Sequence, residues 1–260
     1  MKREEGRERD RNQGRLKEGE ERLEKGHKGK DREDQRIFVM RDETPGKAVL
    51  KMGVPLILGM LIMVLYNMVD TFYIGLLRDD YQLAAVSLAY PVMMVMIALS
   101  NMVGTGGSSL IARSIGAGRM DRAEQTLLAG YELTALLSIL ITFSGLIFQN
   151  PLVRLLGARE HTAAYTGDYV RCLLIGSFSV MGNYTFGQLL RAEGSVRYSV
   201  LGMVIGTLVN IVLDPLFIFT FGMQVRGAAI ATVLGNLAGA LCSVLFYLRG
   251  KSLLRFRKKN

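Results

Sequence analysis

A chain of 260 residues, half of them apolar and with a mean hydropathy of +0.24, carries more hydrophobic material than a soluble domain of this size needs. Its net charge of +9 does not signal nucleic acid, because the stretch before Ala48 holds 15 basic and 13 acidic residues and the surplus lies in short gaps between long apolar runs. Cys172 and Cys242 fall inside those runs and read as small packing residues, so neither a disulfide nor a metal framework is expected, and no Ser-His-Asp, metal-ligand or phosphate-loop pattern supports an enzyme or a bound cofactor.

Taken in chain order, residues 1–43 form a charged, glycine-interrupted tail with too little apolar surface to offset the entropy of ordering, and they are expected to be disordered. Met40 is an alternative start, and no cleavable leader is expected ahead of the first apolar run. Six charge-poor segments then reach the roughly 18 to 20 residues that cross a hydrocarbon layer. They are predicted as spans over 48–77, 83–112, 122–148, 162–190, 198–221 and 227–248, and apart from the fifth, which holds Asp214, their central runs are free of Asp, Glu, Lys and Arg. Soluble helices of that length show a polar stripe, whereas these are apolar or small on every face. The stretch Gly116-Ala-Gly-Arg-Met-Asp121 supplies a helix stop and a polar turn. The fold class is therefore all-α, a polytopic transmembrane bundle over 44–251 followed by a basic end, 252–260.

Basic residues alternate between the gaps. Lys51 precedes the first span, Arg113, Arg119 and Arg122 follow the second, Arg191 and Arg197 follow the fourth, and six more follow the sixth, while the other gaps hold only Arg78, Arg154 with Arg159, and Arg226. By the positive-inside rule both termini are cytoplasmic, in a cell membrane.

An ionisable side chain at membrane depth costs at least a few kcal/mol unless it is paired or hydrated, so Asp70 and Asp214 are functional candidates by default. Each lies about seven residues, roughly 10 Å, from the outer end of its span. Asn67 is three residues before Asp70 and Asn210 four before Asp214, spacings that bring side chains together on one helix face. Thr232 enters its span by about five residues and Tyr169 by a similar amount, about seven, which places their hydroxyls in the same outer layer. Carboxylates, amide oxygens and hydroxyls suit sodium as hard donors, and two nearby carboxylates can hold one proton between them. For Thr232 and Tyr169 alone, interhelical hydrogen bonding is the competing role. Asp168 and Arg171 flank Tyr169 near the surface and are expected to pair with each other or reach water. Pro55, Pro91 and Pro215 bend their helices, with Pro55 and Pro215 the hinge candidates. Gly104, Gly106, Gly107, Gly202, Gly206, Gly235 and Gly239 are expected at tight helix contacts. Met63, Met94, Met181 and Met203 are candidates to line a cavity, but a methionine on a membrane helix is more often packing or lipid-facing, and no substrate residue is assigned.

Five ordered motifs carry a resemblance. They are Tyr66-Asn-Met-Val-Asp70-Thr-Phe-Tyr-Ile-Gly75, Gly104-Thr-Gly-Gly-Ser-Ser with Arg113-Ser-Ile-Gly-Ala-Gly118, Leu190-Arg-Ala-Glu-Gly194, Asn210-Ile-Val-Leu-Asp214-Pro-Leu-Phe and Gly227-Ala-Ala-Ile-Ala-Thr232. Across roughly 44–251 the chain resembles the N-lobe of the MATE family of multidrug and toxic compound extrusion transporters. The resemblance implies two six-helix lobes, alternating access, and export of cationic or amphipathic compounds in exchange for protons or sodium. It also implies that Asp70, Asn210, Asp214 and Thr232 form the cation site, with Tyr169 a weaker member. A complete family member has twelve spans, so the expected partner is a C-lobe, a second copy or a separate chain that supplies the other wall. The other readings are a lipid-linked oligosaccharide flippase of related fold, which would need a large basic cavity where only Arg171 lies within a span, and a non-transporting fragment that binds a membrane partner.

Overall fold

The computed structural model describes residues 53, 54, 57, 59, 61, 62, 64, 68–159, 161–249, 252 and 254. The expectations for the tail 1–43, Pro55, Asn67, Met63 and most of the basic end fall outside the described residues.

Among the described residues every regular element is helical. The first predicted span is represented by its helical end, 68–75 (α1). Then come α2 (Asp80–Gly116), α3 (Met120–Ile147), a short α4 (Gln149–Leu155), α5 (His161–Ile175), α6 (Ser177–Ala192), α7 (Val196–Pro215) and α8 (Gln224–Leu248), with a π-helical turn, Leu216–Thr220, following α7. Among the described residues four helices are long and apolar enough to cross a membrane: α2, α3, α7 with its π turn, and α8.

Large apolar side chains lie on the outside of the bundle as well as in its core. Phe72, Met102, Phe143, Leu208 and Val212 are exposed, whereas Ser100, Thr134, Thr185 and Asp214 are fully buried. In lipid this arrangement is favourable, because an apolar side chain gains little by leaving hydrocarbon while a polar one must find a partner. Two of the hydroxyls donate to backbone carbonyls one turn away, Ser100 to Met96 O at 2.6 Å and Thr134 to Gly130 O at 2.7 Å, and Thr185 donates across to Ser100 O at 3.3 Å.

The turn predicted at 116–121 is present between α2 and α3, closed by Ala117 N donating to Arg113 O at 3.0 Å and Arg119 N to Ser114 O at 2.8 Å. Two features depart from the sequence expectation. The fourth predicted span, 162–190, is two helices that meet at Gly176. A Cβ on Gly176 would come within 2.3 Å of Val233 on α8, so the close approach of that helix is available only to glycine. The carbonyl of Leu174, next to the break, accepts from Thr142 Oγ1 of α3 at 2.7 Å, and Thr142 in turn meets Ser177 Oγ at 2.8 Å. A carbonyl that a straight helix would have used is thus satisfied from a neighbour. The second departure is α4, which no span covered. It is tied to α5 through Gln149 Nε2 and Gly167 O at 2.8 Å, and it leaves Leu155 exposed.

The tightest packing joins α7 to α8. A Cβ on Gly206 would stand 2.7 Å from the Gly235 carbonyl oxygen, and one on Gly235 the same distance from the Gly206 oxygen, so the two backbones touch without side chains between them. This contact brings the polar residues of both helices to one level.

Candidate functional site

Asp70 sits on α1, five residues before the helix ends at residue 75, and is 9% exposed. Asp214 occupies the last turn of α7 and is 0% exposed. Their carboxyl groups are close enough to interact with each other. On α7, Asn210 Nδ2 donates to Asp214 Oδ1 at 3.4 Å, the i to i+4 pairing read from the sequence. The structure therefore brings Asp70, Asn210 and Asp214 into one cluster.

Three oxygens of this cluster, Asp70 Oδ1, Asn210 Oδ1 and Asp214 Oδ2, are buried without a hydrogen-bond partner among the described residues. Buried polar atoms are rarely left so, and three together form a strongly negative point in a low-dielectric bundle. Two carboxyl groups in contact repel when both are ionised, and a proton or a small hard cation between them offsets that repulsion.

Two cavities adjoin the cluster. The outer one, about 710 Å³, is lined by Asp70, Thr71, Tyr90, Tyr169, Leu173 and Thr232 among others. The inner one, about 90 Å³, is lined by Asn210, Thr232, Asn183, Asn236, Ser199 and Arg191 among others. Thr232 and Met93 belong to both. Thr232 is 2% exposed and Tyr169 4%, and both line the outer cavity with Asp70. Of the predicted site residues, Asp70, Asn210, Asp214, Thr232 and Tyr169 are thus gathered where α1, α5, α7 and α8 meet, and Asn67 lies outside the described residues.

Pro215 follows Asp214 directly, and the backbone widens into the π turn immediately after it. Pro215 has no N–H to donate to the Ile211 carbonyl, and just beyond it the helix closes on a wider ring, with Phe221 N donating to Leu216 O at 3.0 Å.

The outer end of the site is held by a residue the sequence reading did not single out. Gln82, 2% exposed near the start of α2, donates through Nε2 to Asp79 Oδ2 at 2.9 Å and to Gln224 Oε1 at 3.1 Å, and its Oε1 accepts from Val225 N at 3.2 Å. It therefore fixes the start of α8, and with it Thr232, against the α1–α2 turn. Its sequence signal was a lone amide at the head of an apolar run.

Two expectations need correction. Asp168 pairs with Arg226 of α8 at 2.7 Å rather than with Arg171, because the start of α8 packs beside α5 while Arg171 faces outward. Arg191, assigned to the gap after the fourth span, lies in the last turn of α6 and lines the inner cavity. Met203, one of the four methionines weighed for a cavity wall, lines that cavity as well.

Comparison with known proteins places the chain in a family. The family model described as MatE matches residues 55–216. The chain is 28% identical over 223 residues to the "Multidrug export protein MepA" of Staphylococcus aureus (strain MRSA252), a match that takes in 85% of the chain and 49% of that protein. Among solved structures it is similar to the "Outward-facing conformation of a multidrug resistance MATE family transporter of the MOP superfamily", with a TM-score of 0.81, 34% identity, and coverage of 85% of the chain and 49% of that structure. It is likewise similar to "MATE in the bent conformation", with a TM-score of 0.79, 34% identity and the same coverage. The chain spans about half the length of the curated relatives it matches.

Proposed function

Since the chain belongs to the MATE family of transporters, we propose that it is the N-terminal six-span lobe of a cation-coupled antiporter that exports cationic or amphipathic compounds. The family is one of transporters and not of enzymes. In this reading Asp70, Asn210 and Asp214, with Thr232 and Tyr169 beside them and Asn67 on the first span, take up a proton or a sodium ion. The lobe occupies 44–251, both termini face the cytoplasm of a bacterial cell, and a C-lobe or a second copy supplies the other wall of the drug pathway.

The observation that carries the reading is the pairing of two buried carboxyl groups near enough to interact, with Asp70 Oδ1 and Asp214 Oδ2 lacking a hydrogen-bond partner among the described residues. The donor set of carboxylate and amide oxygens suits a proton or sodium, which supplies the charge that lets both carboxyl groups stay buried. Coupling follows if the cation stabilises one packing of α1 against α7 and α8 and the exported compound stabilises the other, because a ligand shifts a conformational equilibrium only through differential affinity. Pro215 and its wide turn are where α7 would yield, as would the first span at Pro55. A lipid-linked oligosaccharide flippase is not favoured, because the larger of the two cavities at the site is lined by an acid and not by basic residues.

The test is dye export from proteoliposomes containing the chain, alone or with a complementing C-lobe, under an imposed proton or sodium gradient. Asp70→Asn and Asp214→Asn should each abolish gradient-driven export while leaving the folded yield intact. Normal export by either variant overturns the reading, and the gradient that drives export identifies the ion.

A further inference from the structure

The inner cavity ends on a positive charge. Arg191 turns its guanidinium back over Gly187, where an added Cβ would stand 3.4 Å from Nη1, and donates to Ser199 Oγ at 2.8 Å. Ser199 Oγ passes its own proton to Gly187 O at 2.9 Å. Among the described residues no carboxylate pairs with Arg191. A guanidinium held against membrane helices is ordinarily matched to a carboxylate or phosphate, and here it faces the polar wall of the cavity instead.

The wall is continuous in composition from the acid cluster to that charge. Asn236 Nδ2 donates to Thr232 O at 2.8 Å, and Asn183 Nδ2 donates to Asn236 Oδ1 at 3.0 Å. Asn210 stands at one end with Asp214, and Ser199 at the other with Arg191. On α7 these two ends are eleven residues apart, roughly 16 Å, which is about half the thickness of a bilayer core. A polar seam of that length through a membrane bundle is a potential leak for the very ion the acids hold. A fixed positive charge at its far end raises the energy of any cation passing through, while leaving the amide and hydroxyl wall free to hold water.

We propose that Arg191 is the charge filter of the lobe: it bars small cations from the inner cavity, so that an ion held at Asp70 and Asp214 is exchanged through the outer cavity and does not run down through the bundle. The purpose of the filter rests on the cation-coupling reading, but the filter itself has a readout that needs no transport. Met203 lines the inner cavity one helical turn from Ser199, about 6 Å along α7, and well away from Asp214, so a thiol placed there reports the local field.

The experiment uses the full chain with Met203→Cys on a Cys172→Ala, Cys242→Ala background, purified in neutral detergent. It reads the rates of modification by positively and negatively charged methanethiosulfonates of matched size, each divided by its rate with a free thiol. The anionic reagent should be favoured by about tenfold. Arg191→Gln should bring the ratio close to one, Arg191→Lys should preserve it, and 1 M salt should collapse it in the Arg191 protein. An unchanged ratio in Arg191→Gln overturns the proposal, as does an introduced thiol that reacts with neither reagent. If Arg191→Gln does not fold, absence of an anionic preference at low salt in the Arg191 protein is itself decisive against it. Asp70→Asn should lose coupled export yet keep the reagent ratio, so that failure of the coupling site and failure of the filter give different results.

Discussion

The outer and inner halves of this bundle are both polar, and they differ in how their polar atoms are satisfied. Around Asn183, Asn236 and Ser199, each named side chain donates to or accepts from a neighbour within 3.0 Å. Around Asp70, Asn210 and Asp214, three buried oxygens have no partner among the described residues. A network that closes on itself holds helices together, whereas one left open is stabilised only by something that arrives. The same residue types are thus closed on one another in one half and left open in the other, which is the half proposed as the receptor.

The comparison is broken most decisively at the receptor. Asp214→Asn keeps the shape of the side chain but removes its charge, and its expected result is complete loss of gradient-driven dye export with thermal stability in detergent equal to or above that of the parent. A large loss of stability instead would make Asp214 a structural residue and erase the contrast between the halves. Gly206→Ala comes next. Its new methyl group would press on the Gly235 carbonyl oxygen at 2.7 Å, and overpacking of this kind costs about 1–3 kcal/mol, to be read as a lowered unfolding midpoint. Asn236→Ala opens the closed network by removing the acceptor of Asn183 and the donor to Thr232. The expected cost is about 0.6–1.7 kcal/mol, the range for interhelical hydrogen bonds in membranes, with the choice of coupling ion unchanged. A variant that switched the ion while keeping its stability would move Asn236 into the receptor. The smallest effect belongs to Arg226→Ala, since the Asp168 pair lies at the surface with 58% of the arginine exposed, and its unfolding midpoint should match the parent.

Much of the site was legible in the sequence because its information is local. The depth of an acid in a span follows from counting residues at a fixed rise, and Asn210 with Asp214 is an i, i+4 pair on one helix. The turn after α2 was legible for the same reason, since glycine and charge punctuate it directly. What escaped depends on which way a helix faces its neighbours. Hydropathy reports that 162–190 is long enough to span, but the break at Gly176 exists because Val233 approaches it and Thr142 caps the carbonyl beside it, and neither is near in sequence. The partner of Asp168 was misassigned for the same reason, with Arg226 lying 58 residues away. Arg191 was read as a loop residue because charge at the end of a span normally leaves the membrane, whereas Ser199 of the next helix offers it an inward acceptor.

The wide turn behind Asp214 has one more consequence. It is pinned at its second residue, since Gly227 of α8 packs so closely on the Phe217 backbone that an added Cβ would come within 2.8 Å of it. That clamp stands three residues past Asp214, on the acid's side of most of the turn. A change of pitch beyond the clamp would therefore move the Thr220 end and leave Asp214 where it is. The wide turn is slack between the acid and the loop that leads into α8, and it insulates the one from the other.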